Sequence, residues 1–213
     1  MTPFLILFVI TLVNSEDTGN DTICDGFQAN FNLKDVIGEW QVVAIIPEKL
    51  FPEKQVTCYK VEISETDGAS LRWLINKTID SPKEFLPNDT NGIIVRQRYH
   101  TENPFDVWSK SIQGVNGCFQ QVLSLDISKK DIHKALRHDA MMQLHLLEVK
   151  GSEPFLMQML WGRMIALVIY RRKPVIEVTQ DELKPVFELI TKLRGPQRLP
   201  KICENPLRDI LVF

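Results

Sequence analysis

Phe31-Asn32-Leu33-Lys34-Asp35-Val36-Ile37-Gly38-Glu39-Trp40-Gln41-Val42-Val43-Ala44-Ile45-Ile46 is the stretch on which the reading of the chain turns. A short segment of mixed polarity, suited to one turn of helix, reaches a glycine. A run of apolar and β-branched residues follows and favours a strand. Gly38 supplies backbone freedom or room for close approach at the start of that strand. Trp40 brings a large indole whose N–H needs an acceptor if it is buried.

Length and composition bound the rest. The chain has 213 residues, 44 % hydrophobic and 24 % charged, which fits one globular domain. Its formal net charge of −2 gives no basic surface for nucleic acid or an anionic membrane, so neither is expected as a partner. Phe4 to Val13 is apolar apart from Thr11: too short to span a bilayer, but right for the core of a secretory signal peptide over 1–15, with cleavage before Glu16. No other run approaches transmembrane length, so no membrane insertion is expected. Residues 16–23 read as a flexible polar arm and 24–213 as the folded domain.

Four cysteines remain, Cys24, Cys58, Cys118 and Cys203, an even number for an oxidising compartment, and two disulfides are the default. None forms a Cys-x-x-Cys pair, so no metal site is expected. Three Asn-x-Ser/Thr acceptors, Asn20, Asn76 and Asn88, agree with a secreted, extracellular glycoprotein.

Taken in order, the chain reads as strands joined by turns. After β-type residues 38–46, two prolines in 47–52 mark a loop. Val56–Ser64 alternates, with Tyr59 and Val61 on one face, and Asp67-Gly68 signals a hairpin with Ser70–Thr78 as its return strand. If Asn76 faces water, Trp73 and Ile75 point inward. Gly92–His100 sets Val95, Gln97 and Tyr99 opposite Arg96 and Arg98. Asp106–Gln113, Cys118–Ile127 and Met141–Val149 follow, with 129–139 as an inserted loop or short helix. Phe155–Arg172 reads as a last strand. Thr179 and Glu182 then form a capping box for a helix with apolar spacing at Leu183, Val186, Phe187, Ile190 and Leu193, ended by Gly195. Pro185 is awkward inside it, and a regular helix starting only at Pro185 is the alternative. About eight strands and a flanking helix close naturally as an all-β antiparallel up-and-down barrel, because closure removes exposed edges.

Three motifs in order carry a resemblance. Gly38-x-Trp40, the turn at Asp126 and Arg172 before Lys173-Pro174 resemble the three conserved segments of the lipocalins, with Leu125 and Ile127 standing where the second segment has Thr and Tyr. The chain looks nearest to the insect bilin-binding and apolipoprotein D-like branch. The resemblance implies an eight-stranded barrel with one C-terminal α-helix, Arg172 packed over the Trp40 indole, and the pairings Cys24–Cys118 and Cys58–Cys203.

Alternation points thirteen residues inward as the candidate lining: Val42, Ala44, Tyr59, Val61, Trp73, Ile75, Val95, Tyr99, Met142, Leu144, Met157, Met159 and Trp161. An apolar, Met-rich lining suits a small hydrophobic ligand such as a retinoid, fatty acid, sterol-like lipid or tetrapyrrole, carried without a resident cofactor. A cell-surface receptor is a second expected partner. An enzyme is not expected: a cavity thiol would need a free cysteine, and His133, His138, Asp139 and His145 form no recognised catalytic motif. A haem carrier with one of these histidines as axial ligand stays open. The alternative function is a loop-mediated interaction module or inhibitor on a filled barrel.

Overall fold

The computed structural model describes residue 24 and the stretches 28–47, 59–78, 92–126, 140–161, 166–172 and 179–203. Asn32 opens the one-turn helix α1 (Leu33–Val36) by accepting from the Lys34 amide, and Ile37 N–H closes it on Leu33 O. Gly38, at φ 122°, then turns the chain into strand β1 (Gly38–Pro47). The remaining elements are β2 (Lys60–Thr66), α2 (Gly68–Thr78), β3 (Ile94–His100), β4 (Phe105–Ser111), β5 (Cys118–Asp126), β6 (Met141–Leu147), β7 (Phe155–Trp161), β8 (Ala166–Arg171), α3 (Gln180–Arg194) and the short β9 (Lys201–Ile202).

Each strand from β2 to β8 pairs antiparallel with the next, and β8 pairs with β1. β1 returns to β2 through Gly38↔Ile63 and Trp40↔Val61. The sheet therefore closes into an eight-stranded up-and-down barrel in which every one of these strands has a neighbour on both sides. β9 adds at Ala44↔Ile202, beside the stretch of β1 that β2 does not reach. Among the described residues, no helix is long and apolar enough to cross a membrane.

Two expectations about elements change. Residues 70–78 are not a return strand but most of helix α2. The carboxylate of Asp67 accepts from both the amide and the hydroxyl of Ser70, at 2.7 Å each, which starts a helix rather than a hairpin. Leu71 and Ile75, one turn apart, pack against Ile94, Trp108, Leu123 and Leu125 on the outside of the barrel. The return strand of β2 is β3. Second, Phe155–Arg172 is two strands, β7 and β8, so one strand lost and one gained leave the count at eight. The helix expected behind the Thr179–Glu182 capping box is α3, which starts at Gln180 and holds Pro185 inside it, so the alternative start at Pro185 is not taken.

The barrel has apolar residues on both sides of its wall. Inside lie Trp40, Val42, Val61, Ile63, Phe119, Leu144, Leu156 and their neighbours. Outside, α3 lays Leu183, Val186 and Ile190 over Val43, Ile46, Leu147, Phe155 and Leu167. Cys24 is bonded to Cys118, Cα to Cα 6.0 Å, tying the N-terminal segment to β5 across 94 residues. A loop of that length corresponds to about 4–5 kcal/mol in the chain-entropy model. Cys203 is also disulfide-bonded; its expected partner Cys58 lies outside the described residues, as do 1–23, Asn88 and the 129–139 insertion.

Candidate ligand-binding site

One end of the barrel is closed by a clasp between α1, β1 and the end of β8. Trp40 is 1 % exposed and donates its indole N–H to Val36 O at 2.7 Å. The guanidinium of Arg172 lies over the Trp40 ring, 4.5 Å from its centroid, and donates to Asp35 O and, at 3.1 Å, to Ile37 O. A Cβ on Gly38 would sit 3.0 Å from Arg172 Nη1, so the glycine is needed both for its φ and for the close passage of the arginine. Asp126 ends β5, paired with Phe105 at the far end of the barrel.

Above the clasp the interior is layered. Val61, Val95, Leu144 and Leu156 are completely buried and fill the lower barrel. Next comes a layer of neutral polar groups. Tyr170 donates its hydroxyl to Gln158 Oε1 at 2.7 Å, and Gln97 Nε2 donates to the same oxygen at 3.3 Å. Gln158 Nε2 donates to the Tyr99 hydroxyl at 3.4 Å. Gln97 Oε1 is buried and has no hydrogen-bond partner. Burial pushes the phenols of Tyr59, Tyr99 and Tyr170 above their ordinary pKa, and their mutual proximity pushes Tyr99 and Tyr170 further up. All three remain neutral at physiological pH.

At the far end, Ile45, Tyr59, Tyr99, Phe105, Val107 and Leu160 face inward and are only half-buried. Tyr99 stacks on Phe105 with centroids 4.6 Å apart, and Tyr59 lies 5.8 Å from Tyr99. An aromatic and aliphatic wall thus stands over a floor of uncharged donors and acceptors. Such a surface can take an apolar body with one neutral polar group.

The structure divides the thirteen residues that alternation points inward. Val42, Tyr59, Val61, Val95, Tyr99, Met142 and Leu144 belong to the inner cluster or pack on it. Ala44 does not: the β1–β8 register shifts between Val42 and Ala44, and this bulge reverses the faces beyond it, sending Ala44 outward and Ile45 inward. Met157, Met159 and Trp161 lie on the outer face of β7 beneath α3, while Leu156, Gln158 and Leu160 point in. Both faces of β7 are covered, so hydrophobicity alone does not distinguish them. Trp73 and Ile75 are on α2, outside the barrel: Ile75 is buried against the wall and Trp73 is 62 % exposed.

Gln158, Tyr170, Phe105 and Val107 are interior residues that sequence reasoning missed, and Gln97, placed on the face of Val95 and Tyr99, was not counted in the lining. A buried polar residue at the centre of an apolar strand, Gln158 in Phe155–Trp161, was the available signal. His145 is on the outer face of β6, where its Nδ1 accepts the Asn30 amide at 2.7 Å, so it offers no axial ligand to the interior. His133, His138 and Asp139 lie outside the described residues. Among the described residues no three of His, Cys, Asp or Glu gather as a metal site.

No family model matches the sequence, and no curated protein is similar to it. Among solved structures 92 chains match. One is the siderocalin Ex-FABP, described as functioning through dual ligand specificities; the match covers 80 % of this chain and 91 % of that chain at 11 % identity, with a TM-score of 0.40.

Proposed function

We propose that the protein is a secreted carrier of a small hydrophobic molecule, of the lipocalin type and nearest its bilin-binding and apolipoprotein D-like branch. The observation that carries this reading is the half-buried wall of Tyr59, Tyr99, Phe105, Val107 and Leu160 above the neutral floor of Gln97, Gln158 and Tyr170. The ligand's apolar body sits against the wall, and a hydroxyl or N–H donates towards Gln97 Oε1, the unpaired acceptor. Retinol-like and sterol-like alcohols fit this floor better than a carboxylate, which would meet a buried amide oxygen there and no described cation. Removing about 300 Å² of apolar ligand surface from water is worth roughly 7–8 kcal/mol before ordering costs, an upper bound that corresponds to micromolar binding at best.

Two features of the sequence support export: the leader over 1–15 and the even cysteine count. The filled lower barrel favours a second reading, a binding module that works through its loops. Fluorescence titration with retinol, a fatty acid and a bilin separates the two. A carrier gives saturable binding that Leu160→Trp, which fills the wall, abolishes while the fold persists by circular dichroism. Binding unchanged by Leu160→Trp, or absent for every ligand, would overturn the carrier.

A further inference from the structure

Trp73 is the most exposed aromatic among the described residues, at 62 %. Nothing in the packing of α2 requires it, since Leu71 and Ile75 already dock the helix on the barrel. Its surroundings along the helix are informative. Lys77, four residues on, holds its Nζ 4.8 Å from the ring centroid and so occupies one flank of the indole. Asn76, three residues on, is exposed and heads the acceptor Asn76-Lys77-Thr78. On a helix of 3.6 residues per turn, positions i+3 and i+4 fall on opposite flanks of position i, about 60° and 40° away. Side chains at these spacings are neighbours, and each leans towards the helix N-terminus. A group built on Asn76 therefore grows back towards the ring from the flank that Lys77 leaves open.

We infer that Asn76 is glycosylated and that its first N-acetylglucosamine stacks on the indole of Trp73. A hexosamine ring presents a face of C–H bonds, which carry partial positive charge. The face of an indole is its negative pole, so the two are complementary and both lose apolar surface to water. The contact explains why a tryptophan is placed on the solvent side of a helix that does not need it for docking. The inference rests on the secretory reading, because the glycan is added only on that route.

The test is expression of the full chain in cultured eukaryotic cells, glycopeptide mass mapping of the secreted protein, and acrylamide quenching of tryptophan fluorescence. Trp40 and Trp108 are 1 % and 6 % exposed and Trp161 is partly buried, so Trp73 makes the largest contribution to the quenchable signal, and Trp73→Phe identifies its share. The expected result is a glycan at Asn76 and a quenching constant for Trp73 lower than in Asn76→Gln by about twofold or more, since Lys77 lies over one ring face and the sugar covers the other. Trimming the glycan to its first sugar should preserve the protection, and removing that sugar should abolish it. Melting of Asn76→Gln should fall by about 2–4 °C, the shift one side-chain contact makes in a domain of this size. Asn76 bare beside a glycosylated Asn20 or Asn88 would overturn this inference alone, as would a glycan at Asn76 that leaves quenching unchanged. A chain retained in the cytoplasm without glycans would remove the secretory reading and this inference with it.

Discussion

Arg172→Ala is the substitution whose effect the structure fixes most closely. The guanidinium makes three contacts: the face of Trp40 at 4.5 Å, Ile37 O at 3.1 Å, and Asp35 O. Arg172 is exposed, so the low end of each scale applies. The cation–π contact is worth about 0.5–1 kcal/mol at such a site, and each hydrogen bond to a carbonyl about 0.5–1 kcal/mol net. Their sum is about 1.5–3 kcal/mol, and in a chain of this length each kcal/mol moves Tm by roughly 2–4 °C. Arg172→Ala should thus lower Tm by about 3–12 °C, and Arg172→Lys should recover less than half, because an ammonium cannot lie flat on the indole while bridging two carbonyls. Urea and thermal unfolding, followed by far-UV circular dichroism, measure both. Trp40→Phe in the same background tests the coupling, with an interaction energy of about 0.5–1 kcal/mol expected. A loss under about 0.5 kcal/mol for Arg172→Ala, or full recovery by Lys, would refute the clasp as a fixed three-point contact.

Gly38→Ala should cost about 1–3 kcal/mol, because its φ of 122° and the 3.0 Å approach to Arg172 both penalise a Cβ; a urea midpoint within error of wild type would contradict this. Ile75→Ala should cost about 2–5 kcal/mol and Trp73→Ser less than about 0.5 kcal/mol in unglycosylated protein, the order that a helix docked through Leu71 and Ile75 demands. Denaturation of the two variants side by side decides, and the reverse order would restore a strand with Trp73 facing inward. Burial lowers the pKa of His145, whose Nδ1 must stay unprotonated to accept the Asn30 amide. The unfolded chain therefore binds the proton more tightly: this part of the stability is complete above about pH 6.5 and is lost as pH falls through the lowered folded value. Urea midpoints across that range should drop on acidification and flatten in His145→Gln; an equal slope in both would remove His145 as the cause.

The sequence made the Trp40 clasp legible because its parts are local or sit at strand ends: Gly38 and Trp40 are two residues apart, and Arg172 is placed by the proline that follows. The barrel was legible from turns and alternation, yet the lining was only half so. Leu71, Trp73 and Ile75 satisfy a period of two while Leu71 and Ile75 also satisfy the four-residue helical step, and the Asp67–Ser70 cap that decides between the two resembles a hairpin turn. Ala44 depends on a bulge, which no local pattern announces. Met157, Met159 and Trp161 depend on where α3 docks, a long-range fact that makes both faces of β7 apolar. Gln158 carried the inward direction of that strand. A lone glutamine among Phe155, Leu156, Met157, Met159 and Leu160 belongs on the side where Tyr170 and Gln97 can satisfy it, and those partners come from β8 and β3.

Native mass spectrometry of the protein secreted by eukaryotic cells, beside the same sample denatured, tests the carrier most directly. A loaded carrier shows an added small-molecule mass that denaturation releases, or acquires one on challenge with retinoids, fatty acids and bilins, and loses it in Leu160→Trp. The bare polypeptide under every one of these conditions would contradict the account.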